Sequence, residues 1–118
     1  MINQNYFKMK FYIYLFIAIC LETAGTSLLP MTKEFTKWKP TILFFALFFA
    51  ALYSLTKAIR AIPIGIAYAI WSGIGIVLIS LSGYFLYKQK LDIPAIIGIV
   101  FIIIGVLIIN IFSKTAGH

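Results

Sequence analysis

Acidic side chains are scarce in this sequence: three Asp and Glu stand against ten Lys and Arg in 118 residues. Histidine occurs once, as the terminal His118, and cysteine once, as Cys20. The single histidine leaves no nucleophile–His–acid set, and the residues that bind metals never cluster at ligand spacing. A lone cysteine excludes an intrachain disulfide, and Cys20, inside an apolar run, reads as a small core residue. No glycine-rich loop of the phosphate-cradling kind is present either. Neither an enzyme nor a cofactor is expected.

What is abundant is apolar surface. The chain is 63% hydrophobic and only 11% charged, whereas soluble domains sit near half apolar and a quarter charged. A core of this length cannot hide so much Ile, Leu and Phe, but a bilayer can, because lipid replaces the missing interior. The net charge of +7 is not arranged as a stripe interleaved with stacking aromatics. The basic residues sit in short segments between apolar runs, which points to membrane anchoring and away from nucleic acid. With no nucleotide-binding motif, any work the chain does across the membrane must draw on an ion gradient.

Four apolar segments, approximately residues 11–29, 41–59, 64–86 and 93–112, each come close to the ~20 residues a helix needs to cross the hydrocarbon. The expected fold is therefore an all-α membrane domain of four helices filling residues 1–118, with residues 1–10 as an N-terminal extension. Pro30, Pro40, Pro63 and Pro94 all fall at the span edges, where proline is tolerated. Lys8 and Lys10 before an apolar stretch also fit a removable signal, and Ile17 to Cys20 faintly resembles a lipoprotein site. Ile19 is too bulky before such a cysteine and Glu22 makes a poor cleavage region, so the segment is expected to stay as a span.

Four spans put both termini on one side, together with Lys8, Lys10, Lys57, Arg60 and Lys114. The other side carries Lys33, Lys37, Lys39, Lys88 and Lys90. Orientation follows the Lys/Arg excess, and here it is zero. The expectation is a chain that inserts both ways round, which permits an antiparallel homodimer.

Glu22 lies near the middle of the first span. A charge at that depth costs on the order of 2.5–3.5 kcal/mol, so the acid is expected to be protonated, paired or facing water. A structural acid bonded to a neighbouring helix is the plainer reading; an ion or substrate site is the one favoured here. Ala18, Gly25 and Thr26 share its helical face, leaving space beside the carboxylate or letting another helix approach. No basic residue lies in the interior of any span to pair with it, Lys57 and Arg60 being too near the membrane edge. In the third span Tyr68 and Trp71 share a face, where they bracket a cation between rings or pack as an aromatic pair. Gly73 and Gly75 make that helix easy to bend. Phe48 and Leu52 of the second span are candidates to line a cavity, and Gly98 and Gly105 of the fourth lie seven apart on one face suited to helix–helix contact.

These residues resemble the small multidrug resistance family, in its multidrug branch, over about residues 11–118. The resemblance rests on Tyr12 and Tyr14, Glu22 and Gly25-Thr26 in the first span. It rests also on the run from Ile62-Pro63 through Gly65, Ala67-Tyr68-Ala69, Trp71, Gly73 and Gly75, and on Leu91-Asp92-Ile93-Pro94 with Gly98. It implies a proton/drug antiporter of the bacterial inner membrane, working as an antiparallel homodimer on hydrophobic cations. It implies that Glu22 of both subunits binds protons and substrate in turn, with Tyr68 as the tyrosine beside the acid and Trp71 as the tryptophan that stacks on substrate. Tyr12, Ala18, Gly25, Thr26, Phe48 and Leu52 would line the cavity, Gly73 and Gly75 kink the third helix, and Gly98 and Gly105 join the subunits. Pro30, Phe48 and Tyr53 depart from the lysine, tyrosine and tryptophan common at those places in relatives. Two alternatives stay open: export of guanidinium-like small cations, and a non-transporting assembly or regulatory subunit.

Overall fold

The computed structural model describes residues 4–114, with side chains from residue 8 onward, so His118 lies outside the described residues. The elements in order are α1 (Gln4–Ser27), α2 (Leu29–Thr32), α3 (Trp38–Ala58), α4 (Ile64–Tyr87) and α5 (Ile93–Phe112). The described residues contain four helices long and apolar enough to span a bilayer, Lys8–Ser27, Trp38–Ala58, Ile64–Tyr87 and Ile93–Phe112, and the chain is a multi-pass membrane protein.

Proline and capping residues explain most of the boundaries. Among the described residues helix α1 is already formed at Gln4, ahead of the apolar run, and no proline or glycine interrupts residues 4–10. Its far end is set by Pro30, whose ring nitrogen cannot donate to the carbonyl four residues back. The chain responds with a tight turn at Leu28, where Leu28 N donates to Gly25 O at 2.9 Å, and then winds the single turn of α2 with Pro30 in its first positions. Pro40 sits in the first turn of α3, and Pro63 is the residue before α4. Asp92 caps α5, its Oδ1 accepting from Ala95 N at 3.0 Å, with Pro94 next inside.

Between α2 and α3 the chain turns through Lys33, Glu34 and Phe35, all three left-handed with φ of 46°, 59° and 67°. None is glycine, so each carries roughly 1–2 kcal/mol of backbone strain. Thr32, almost fully buried, anchors this turn by accepting from Phe35 N through its hydroxyl.

The packed interior is small and lies toward the side of the termini. Phe11, Leu15 and Ile19 of α1 meet Ala58 and Ile62 at the end of α3 and Ile66, Ala67 and Ile70 of α4. Alanine and serine on α3 bring it close to α1: Ala51 and Ala58 are fully buried, and Ser54 Oγ donates to Tyr14 O at 2.7 Å. In lipid such contacts stabilise by van der Waals fit and interhelical hydrogen bonds, since leaving the hydrocarbon gains nothing. At the rim of this core, the Lys57 ammonium lies over the rings of Tyr14 and Tyr53, at 5.4 and 5.2 Å. Helix α5 packs along α4 and buries none of its residues.

Candidate functional site

Glu22 faces α4, and its two carboxylate oxygens have different partners. Thr26, one turn along the same helix, donates its hydroxyl to Oε1 at 2.7 Å. Trp71 reaches across from α4 and donates its indole Nε1–H to Oε2 at 3.3 Å. Both partners are neutral, and among the described residues no cation pairs with the carboxylate. Its cleft, about 210 Å³, is bounded on α1 by Glu22, Thr23 and Thr26 and on α4 by Trp71, Ser72, Gly75, Ile76 and Ile79. Gly75 lies under the indole: a methyl group there would stand 3.4 Å from Trp71 Cδ1, at ordinary contact distance.

Tyr68 joins the site through Trp71. The rings stack with centroids 6.2 Å apart and planes within 17°, while Tyr68 is 61% exposed. The donor that α4 presents to the acid is the Trp71 indole. A flat, two-ring surface beside an uncompensated carboxylate suits a hydrophobic or aromatic cation, drawn by charge and by the ring faces together.

The other sequence candidates are distributed around this centre. Ala18 is fully buried in the α1 interface. Gly25 serves close approach and leaves no space beside the carboxylate: its Cα faces α3, where a methyl group would meet Leu47 Cβ at 3.3 Å and Phe44 O at 3.5 Å. Phe48 stacks on Phe44 at 5.6 Å, and Leu52 is exposed. Tyr12 borders a second hollow of about 470 Å³ shared with Gly73, Val106 and Asn110. Gly73 is pressed against α5, since a methyl there would stand 3.1 Å from Val106 Cγ2, and α4 runs unbroken through both glycines. Gly98 and Gly105 face open space, with nothing within 4 Å of an added methyl.

Thr23, Ser72, Ile76 and Ile79 are cleft residues that the sequence reading passed over. A signal for some of them existed: Trp71, Gly75 and Ile79 repeat at helical spacing on one face of α4. Among the described residues no group of His, Cys, Asp and Glu is placed to hold a metal ion.

Residues 10–102 match the family described as Small Multidrug Resistance protein. The chain belongs to the Small Multidrug Resistance family. It is 47% identical over 107 residues to "Multidrug transporter EmrE" of Escherichia coli (strain K12), covering 91% of this chain and 97% of that relative. The "Multidrug transporter PA4990" of Pseudomonas aeruginosa is 45% identical over the same shares. "Quaternary ammonium compound-resistance protein QacF" of Klebsiella aerogenes is 40% identical, covering 93% of this chain and the whole of the relative. These Small Multidrug Resistance relatives are similar to this chain along nearly its whole length, through all four spans.

Proposed function

We propose that this protein exports hydrophobic, often aromatic, cations such as quaternary ammonium compounds in exchange for protons, across the bacterial inner membrane. The observation that carries the reading is the Glu22 carboxylate, held by a hydroxyl and an indole N–H, with no cation paired to it among the described residues, beside the stacked rings of Tyr68 and Trp71. Such an acid has two ways to lose its charge in a low-dielectric setting: take a proton or bind a cation. The two compete for one group, and competition is what couples their movements. A cation arriving from the cytoplasm displaces the proton, access is exchanged, the cation leaves, and a proton from the other side returns. The gradient sets the direction because each state binds the two ligands differently.

The working unit of this reading is an antiparallel homodimer. It is supported by the equal Lys/Arg counts on the two sides, by a helix α5 with no buried residue, and by Gly98 and Gly105 open on its surface. Two Glu22 side chains then share one chamber, and Phe48 and Leu52 of either subunit are available to wall it. Relatives named for quaternary ammonium resistance favour bulky cations over guanidinium.

The direct test uses purified protein in liposomes with an acidic interior. Tetraphenylphosphonium outside should accumulate inside only while the pH difference lasts, with alkalinisation of the lumen; accumulation independent of the gradient, or none, refutes the proposal. Guanidinium in the same assay should move more slowly.

A further inference from the structure

The polar side chains beyond Glu22 have no part in holding a cation, yet they are not scattered. Toward the loop side, the apolar contact between α1 and α4 gives way to hydroxyls. Ser27 Oγ donates to Thr23 O at 2.6 Å and accepts from Ser82 Oγ at 2.6 Å. The Tyr87 hydroxyl donates to the carbonyl oxygen of the same Ser27. These groups line a hollow of about 110 Å³ that ends at Gln89, the residue after α4 and its left-handed cap Lys88.

This hollow adjoins the Glu22 cleft. Thr26 and Ile79 line both, and Thr26 is the residue whose hydroxyl contacts the carboxylate. Ser27 lies five residues past Glu22, about 7.5 Å along the axis, and Tyr87 and Gln89 carry the polar surface on to the end of the span. Each space is large enough for water, and each offers the several donors and acceptors a water needs. Among the described residues no charged side chain lines the hollow at Ser27. Serine, threonine and tyrosine hydroxyls both give and accept a proton, which a backbone carbonyl or an apolar wall cannot do.

We infer that Thr26, Ser27, Ser82 and Tyr87 form, with water, a proton route between Glu22 and the loop-side surface, contained within one chain. The inference rests on the proton-exchange reading of Glu22. As a cation binds, the Glu22 O–H bond breaks and a water accepts the proton. Each water or hydroxyl that gains a proton from one neighbour passes its own to the next, and one hydronium leaves at Gln89. The carboxylate keeps the electron pair that faces the cation.

Ser82→Ala and Tyr87→Phe together remove the two hydroxyls that α4 contributes to this cluster while leaving Glu22, Thr26, Trp71 and the Ser27 side chain in place. Three measurements in liposomes separate the outcomes. Proton-driven antiport of tetraphenylphosphonium should slow roughly tenfold, less than the ~100-fold or more that a directly acting acid–base group contributes, because water still carries part of the route, and its solvent deuterium isotope effect should rise. Cation–cation exchange of labelled tetraphenylphosphonium at zero pH difference needs the same change of access but no proton movement, and should keep its wild-type rate. Equilibrium affinity, which also reports folding, should be unchanged. Ser82→Thr, which retains a hydroxyl, should restore most of the antiport rate.

Equal slowing of antiport and cation–cation exchange would overturn the route and make the cluster a clamp between α1 and α4. Unchanged antiport would overturn it as well. Should the double variant lose affinity altogether, Ser82→Ala alone is compared with Ser82→Thr on the same two rates, and equal antiport in the two again rejects the route. Failure of the Glu22 reading looks different, because wild-type protein would then show no pH-driven antiport.

Discussion

Replacing Glu22 by Gln isolates the charge at the site from its shape. Glutamine keeps an oxygen to accept the Thr26 hydroxyl and nearly the same volume between α1 and α4. What it loses is the attraction between a carboxylate and a bound cation, together with the exchangeable proton. Two unit charges about 4 Å apart attract by about 1 kcal/mol in water and about 4 kcal/mol at the effective dielectric of a protein surface. Glu22 is half-buried beside an open cleft, so roughly 2–3 kcal/mol is the reasonable value, or about 30- to 150-fold in affinity. Calorimetry of tetraphenylphosphonium binding to purified protein, repeated in buffers of different ionisation enthalpy, measures the affinity and the protons released in one experiment. The variant should bind at least thirtyfold more weakly on this estimate and release no protons. Binding within threefold of wild type, or release that persists in Glu22→Gln, would refute both the charge argument and the assignment of the proton.

Three further outcomes follow from the contacts described above. Trp71→Phe keeps a ring against Tyr68 but removes the long Nε1–H bond to Glu22, and its affinity for the same cation should fall below that of wild type by about 1 kcal/mol, roughly fivefold. Gly73→Ala forces a methyl to 3.1 Å from Val106 and should cost about 1 kcal/mol or more, seen as earlier thermal unfolding in detergent; adding Val106→Ala should recover part of it. Lys90→Gln leaves four basic residues on the loop side against five on the terminal side, so a reporter fused to the C-terminus should shift from both sides of the membrane toward the cytoplasm alone.

The four spans were legible in the sequence because length, hydropathy and edge prolines all state the same constraint, that backbone polar groups in lipid must be satisfied inside a helix. Glu22 was legible for a similar reason, as a costly group that local structure does not explain. Its pairing with Trp71 was less so: 49 residues separate them, and the resemblance named Tyr68 as the residue beside the acid. Gly25 could be read as space or as close approach, and only the position of α3 decides between them. The left-handed run at Lys33, Glu34 and Phe35 has no glycine or asparagine to announce it. Ser27, Ser82 and Tyr87 were invisible as a group, since small hydroxyls in a span are ordinary when each bonds its own helix, and their meeting depends on how α1 and α4 cross.

Helix α5 has a genetic consequence. A span that buries none of its residues leaves the chain dependent on a second copy under the proposed pairing, and copies made together pair without regard to their alleles. A cell expressing wild-type and Glu22→Gln chains equally would form about one pair in four from two intact chains. If transport requires both acids, resistance should drop far below the half that gene dosage alone predicts, and the defective allele would behave as dominant. Substitutions on the outer face of α5 that prevent pairing should cancel that dominance while leaving the fold of the individual chain untouched.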